Sequence, residues 1–167
     1  MPEKLILAFA TPAWIQVALV LNLVATCYMT GVIVFVQIVH YPLFNKVGRD
    51  GFATYAERHQ WLTSWVVGGP MIAEALLAVV FMIWLGTSDG LSRFDGHMVF
   101  ANVGLALFIF GVTAIFSIPC HAALAIGHDT RIVSRLVWTN WLRTVAWTAK
   151  AALAAWMLVH AFPAPSF

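Results

Sequence analysis

Four long stretches of this chain are almost free of charge, and stretches of that kind have few places to go in water. They run Trp14–Ile38, Trp61–Leu85, Met98–Ile118 and Trp138–Val159. Each reaches the roughly 20 residues needed to cross the hydrocarbon of a bilayer as a helix. The first and third carry no ionised residue, the second only Glu74, and the fourth Arg143 and Lys150. Of the whole chain, 62% is hydrophobic and 10% charged, against about 25% charged in a soluble domain. So few charges cannot cover a surface in water, and lipid is the expected outer solvent. The 167 residues suit one membrane domain, 1–167. The apolar run that begins at Thr11 continues to about His40 with no small-residue cleavage site near its end. It therefore reads as a retained first helix rather than a signal peptide.

Two polar connections separate these stretches. Tyr41–Gln60 contains Pro42, Gly48 and Gly51, and Cys120–Thr139 contains Gly127, Asp129, Arg131 and Arg135. Helical spacing at Phe52, Tyr55, Ala56 and His59, and at Ile132, Arg135 and Leu136, predicts a short interfacial helix in each. Gly86–Gly96 reads as a turn-rich loop. Lys46, Arg49, Arg58, Arg131 and Arg135 lie in the long connections, and only Lys4 and Arg93 on the other side. That bias predicts cytoplasmic long connections and both termini outside. Each half is an apolar helix, a polar connection and a second helix with an early Trp-Leu pair, Trp61-Leu62 or Trp141-Leu142. Nearly the same interval separates His40 from His121. The expected fold is all-α: an integral membrane four-helix bundle built from two similar helical hairpins.

Polar groups inside a membrane are costly and mark function or pairing. At about 100° per residue, Asn22, Thr26, Thr30, Gln37 and His40 share one arc of the first helix. His59, Thr63 and Glu74 share one on the second. Asn102, Thr113, Ser117 and Cys120 share one on the third, with His121 at its edge. Asn140, Arg143, Thr144 and Trp147 share one on the fourth, with Lys150 beside it. Four such stripes predict a polar interior and lipid-facing Leu, Val, Phe and Ala.

His40, His59 and His121 fall at helix ends that meet at one level on the predicted cytoplasmic side, and Asn140 opens the fourth helix at that same level. Three imidazoles at one depth form a candidate ligand set for a transition metal or a haem, and the residues do not fix which. The plain alternative is three hydrated interfacial histidines. His128 reads first as a loop residue, and His97 and His160 as interfacial. Glu74, near mid-membrane, needs a partner or a proton. Arg143 and Lys150 are its candidate partners, as a structural lock or as a proton-handling and substrate-orienting set. The tryptophans near helix ends, Trp84 among them, read as an aromatic belt. Phosphate-binding loops, HExxH, CxxC, haem-attachment motifs and nucleic-acid-type basic clusters are absent from the sequence. Cys27 and Cys120 both lie in apolar stretches, where a thiol is first a packing residue.

Ser117–Ala155, with Pro119-Cys120-His121 followed by LVWTNWLRT at Leu136–Thr144, resembles the C-terminal half of the anthrone-oxygenase-like family of small four-helix membrane proteins. VQIVHYPLF at Val36–Phe44 is similar to that family's segment after helix one. The resemblance implies a role for His121, Asn140 and Arg143; His40 and His59 lie outside it. The functional expectation is an oxidoreductase or oxygenase-like membrane protein with an intramembrane polar pocket for a small apolar or quinone-like substrate. Its catalytic candidates are Glu74, Arg143 and Asn140. The alternative is a non-enzymatic carrier or an assembly subunit. Four helices are a narrow frame for transport, which would call for a homo-oligomer.

Overall fold

The structure, a computed structural model, describes residues 11–87 and 96–161. Lys4, Arg93, most of the loop expected over Gly86–Gly96 and the tail after Ala161 lie outside the described residues. All regular structure described is helical. Helix α1 (Ala13–Phe35) runs on through a π turn (Val36–His40), α2 (Tyr41–Leu43) and a 3₁₀ turn (Phe44–Lys46). Helix α3 is Arg49–Leu85. Helix α4 (Gly96–Val112) continues through a second π turn (Thr113–Ser117) into α5 (Ile118–Leu124). Helix α6 is Thr130–Ala161.

Three of these rods, Ala13–Lys46, Arg49–Leu85 and Gly96–Leu124, are long and apolar enough to cross a membrane. The fourth expected span is as helical as the others but is outside that set. Its inward side carries Asn140, Arg143 and Lys150, all buried, and Arg131 and Arg135 sit at its start.

The expected interfacial helices prove to be something else. Phe52–His59 and Ile132–Leu136 are the opening turns of α3 and α6. Only the short Tyr41–Lys46 segment turns separately. Gly51 costs a helix only about 1 kcal/mol, too little to interrupt α3. Gly48, extended at φ −61° and ψ 143°, starts that helix. Asp129 starts α6, its Oδ1 accepting from the amides of Arg131 (2.7 Å) and Ile132 (3.3 Å). The 37 residues of α3 extend about 55 Å and the 32 of α6 about 48 Å, beyond the roughly 30 Å hydrocarbon. Lys46, Arg49, Arg58, Arg131 and Arg135 are all exposed, on or just before these helices' opening turns. At the other end of α3, the Thr87 hydroxyl and amide both bond the Trp84 carbonyl, closing the helix.

The interior is layered, and each rod contributes to every apolar layer. One apolar layer joins Ile15, Leu19, Phe81, Trp84, Val99 and Met157. A middle one joins Met29, Ile33, Met71, Ile109 and Trp147. A third joins Tyr41, Phe44, Phe52, Leu124, Val133 and Leu136. The numbers rise through the layers along α1 and α4 and fall along α3 and α6, so successive rods run in opposite directions. Between the apolar layers lie two polar ones: Asn22, Thr26, Glu74, Asn102 and Lys150, then Gln37, Ser117, Asn140 and Arg143, all buried. The outside is apolar, with Val24, Ile72, Leu76, Ile83, Leu107, Ile115 and Val145 among its exposed residues. This inversion is what the polar stripes predict. Trp84 departs from the expected belt: it is 3% exposed and packs inside.

Three prolines shape the rods. Proline has no N–H and crowds the carbonyl four residues earlier. Pro42 and Pro119 each follow a π turn at the same offset, and the residue before each bonds five back: Tyr41 to Val36 and Ile118 to Thr113. The extra residue of a π turn sets everything beyond it back by about 100°. Pro70 lies inside α3. It leaves the Val66 carbonyl without its helical donor, and the Tyr28 hydroxyl donates to that carbonyl at 3.4 Å.

Candidate functional site

The two polar layers differ in kind. In the first, Lys150 Nζ donates to Glu74 Oε1 (3.0 Å), Thr26 Oγ1 (3.0 Å) and Asn22 Oδ1 (3.3 Å). All three ammonium protons are used. Glu74 Oε1 also accepts from the Thr26 hydroxyl at 2.6 Å, and Oε2 from Trp147 Nε1 at 3.1 Å. Glu74 is 2% and Lys150 0% exposed. The partner of Glu74 is thus Lys150 and not Arg143, because Lys150 occupies its layer and Arg143 the next one. Glu74 lines neither of the two cavities described below. Asn102 shares its layer, with no partner for its amide among the described residues.

The second polar layer opens onto space. A cavity of about 340 Å³ has Met29, Val32, Ile33, Val67 and Ile118 in its apolar lining. Its polar lining includes Tyr41, His59, Gln60, Ser117, His121 and Arg143. The exposed Ser64, Ile118 and Ala122 at its rim put its mouth on the lateral, apolar flank of the bundle. A second cavity of about 420 Å³ lies between α1 and α3, lined by Gly31, Phe35, His40, Leu62 and Val66. His59, Thr63, Val32 and Val36 border both.

The structure brings the three predicted histidines together. His40 Nε2 and His59 Nδ1 are hydrogen-bonded at 2.9 Å, and the Thr63 hydroxyl meets the same Nδ1 at 3.1 Å. The His59 and His121 rings lie 5.4 Å apart. His121 Nε2 bonds the Tyr41 hydroxyl at 2.9 Å, and its carbonyl accepts from the Gln60 amide. Among the described residues, no group of three His, Cys, Asp or Glu is disposed to hold a metal ion. Three of the ring nitrogens are engaged with neighbours: His40 Nε2 with His59 Nδ1, and His121 Nε2 with Tyr41. His59 Nε2 is buried and without a hydrogen-bond partner.

Arg143 completes the polar lining. Its Nη1 donates to Ser117 Oγ (3.1 Å) and Asn140 Oδ1 (3.2 Å), and its Nε has no partner. Asn140 in turn donates to Gln37 Oε1 at 2.9 Å, and Gln37 to the Val137 carbonyl at 3.2 Å. The guanidinium also lies 5.2 Å from the Trp147 ring centroid. Asn140 therefore orients Arg143 and does not itself reach the cavity lining.

Tyr41 and Gln60 are the site residues that sequence spacing passes over. On a straight helix Tyr41 lies about 100° from Asn22, and His121 at the edge of its stripe. Each follows a π turn, which rotates it back inward. The signal was in the sequence: a proline in matching positions, Pro42 and Pro119, at the end of each apolar run. His128 bonds Asn45 at 3.2 Å and packs edge-on against Phe52, apart from the cluster. His160 stacks on Trp156. Cys27 and Cys120 are free thiols, and Cys120 is packed in the apolar layer with Leu124 and Leu136. Comparison with family models, with curated proteins and with solved structures gives no match.

Proposed function

We propose that this chain is a four-span integral membrane protein of the oxidoreductase or oxygenase type, acting on a lipid-soluble small molecule in the 340 Å³ cavity. The observation that carries the reading is the hydrogen bond between Tyr41 and His121 in the cavity lining, with His59 also in that lining. Imidazole is the side chain most often used to take and return a proton near neutrality, and a phenol bonded to it can relay that proton; much of the remaining lining is apolar. A substrate entering from the flank would set its body against Val32, Ile33 and Val67 and its reacting oxygen against Tyr41, His59 and His121. Proton removal makes such a molecule electron-rich and open to oxidation. The oxygenase part of the reading rests on the resemblance at Pro119–His121 and Leu136–Thr144. Two similar hairpins are supported by the matched π turns before Pro42 and Pro119. The exposed basic residues support cytoplasmic long connections with both termini outside. Glu74 serves here as the lock of the bundle, since both its oxygens are engaged.

The test is oxygen uptake by purified protein in nanodiscs supplied with anthrone. Wild type should consume oxygen faster than empty discs, and Tyr41→Phe should lose most of the difference. Binding of anthrone without oxygen uptake in wild type would overturn the enzymatic reading in favour of the carrier.

A further inference from the structure

The charge count of the interior has a consequence for the ligand. The buried charged side chains among the described residues are Glu74, Arg143 and Lys150. Glu74 and Lys150 form a pair with every donor and both oxygens engaged. Arg143, 6% exposed, is left with a full positive charge and no carboxylate among the described residues. Its polar contacts through Nη1 are neutral, to Ser117 and Asn140. The ionisable oxygen that faces it is the Tyr41 phenol, which is already hydrogen-bonded to His121. A buried ion is normally paired because desolvation alone costs several kcal/mol. This one borders the cavity, and its buried Nε has no hydrogen-bond partner.

The geometry points to a lipid-soluble monoanion as the ligand: an apolar body ending in one carboxylate or phenolate oxygen group that Arg143 neutralises. This rests on the cavity proposed above as the site, and it adds the charge of what that cavity takes. The cavity lies at the small end of ligand pockets, which run about 300–1,000 Å³. A polyanion such as a nucleotide phosphate finds one cation there and an apolar lining. A neutral ligand would leave the guanidinium uncompensated. Val32, Ile33, Val67 and Ile118 take the body.

The experiment uses two fluorescent probes of nearly equal shape, anthracene-9-carboxylate and 9-anthracenemethanol, titrated onto the purified protein in detergent. Wild type should bind the carboxylate about 10- to 100-fold more tightly than the alcohol. Arg143→Gln should remove that preference by weakening the carboxylate far more than the alcohol, and Arg143→Lys should restore part of it. Melting without ligand gives an independent reading. Removing an unpaired buried charge should leave the Tm equal or higher, whereas a merely structural arginine would lower it. The carboxylate should raise the Tm of wild type but not of Arg143→Gln. Equal binding of both probes by wild type overturns the inference and leaves the cavity as a site. Binding of neither overturns the cavity reading and the inference with it.

Discussion

The Lys150 ammonium lies 3.0 Å from the Glu74 carboxylate at a depth where neither can reach water, and Thr26 bridges the two. The contact joins α3 to α6, with α1 supplying the Thr26 and Asn22 partners. Removing one member leaves the other charge buried alone, so Glu74→Ala or Lys150→Ala should each cost about 3–5 kcal/mol. Replacing both with apolar residues, Glu74→Leu with Lys150→Met, should cost far less than the sum. Denaturant unfolding in detergent of the two single variants and the double measures the coupling. Additive losses would show that the pair does not hold the helices together.

Trp147 should matter through its N–H as much as through its bulk. Its indole donates to Glu74 Oε2 at 3.1 Å from full burial. Hydrogen bonds to charged groups contribute about 1.5–3 kcal/mol. Trp147→Phe should therefore lose an amount in that range in wild type and much less in a background already carrying Glu74→Gln. A loss of the same size in both backgrounds would assign the effect to packing.

Pro119→Ala separates stability from function. It returns the N–H that the proline lacks, and the π turn can then relax towards an ordinary α-helix. His121 would rotate by about 100° away from Tyr41. Unfolding should show equal or greater stability, while oxygen uptake falls at least tenfold. Pro42→Ala should do the same through Tyr41. Unchanged uptake in both variants would mean that the π turns do not aim the site.

Tyr41→Phe removes one hydroxyl and little volume. General acid–base catalysis is typically worth about 10²–10⁴ in rate, so uptake should drop into that range with substrate binding nearly intact. His59→Gln should fall similarly. By contrast, His128→Ala, whose ring sits against Phe52 and Asn45, should retain full activity.

Much of this architecture is legible from single positions. Asn22, Thr26, Glu74, Asn102, Arg143 and Lys150 are buried as their helical phase requires, because a helix keeps polar residues a few turns apart on one face. His40, His59 and His121 share a depth because helix ends do. What spacing misreads is local. Phe52–His59 looks like a separate helix because charges surround it, yet no residue there is strong enough to end α3. Tyr41 and His121 escape a straight-helix count because two prolines change the period just before them.

The sequence by itself determined that the chain is helical, that its outer surface is apolar and that its polar residues turn inward, since these follow from hydrophobicity and a fixed helical period. Only the tertiary structure decided which charges meet. Glu74 had two candidate cations on one helix, about 10 Å apart along its axis, and the packing of α3 against its neighbours put it level with Lys150. That choice of layer left Arg143 facing the cavity with its charge unspent.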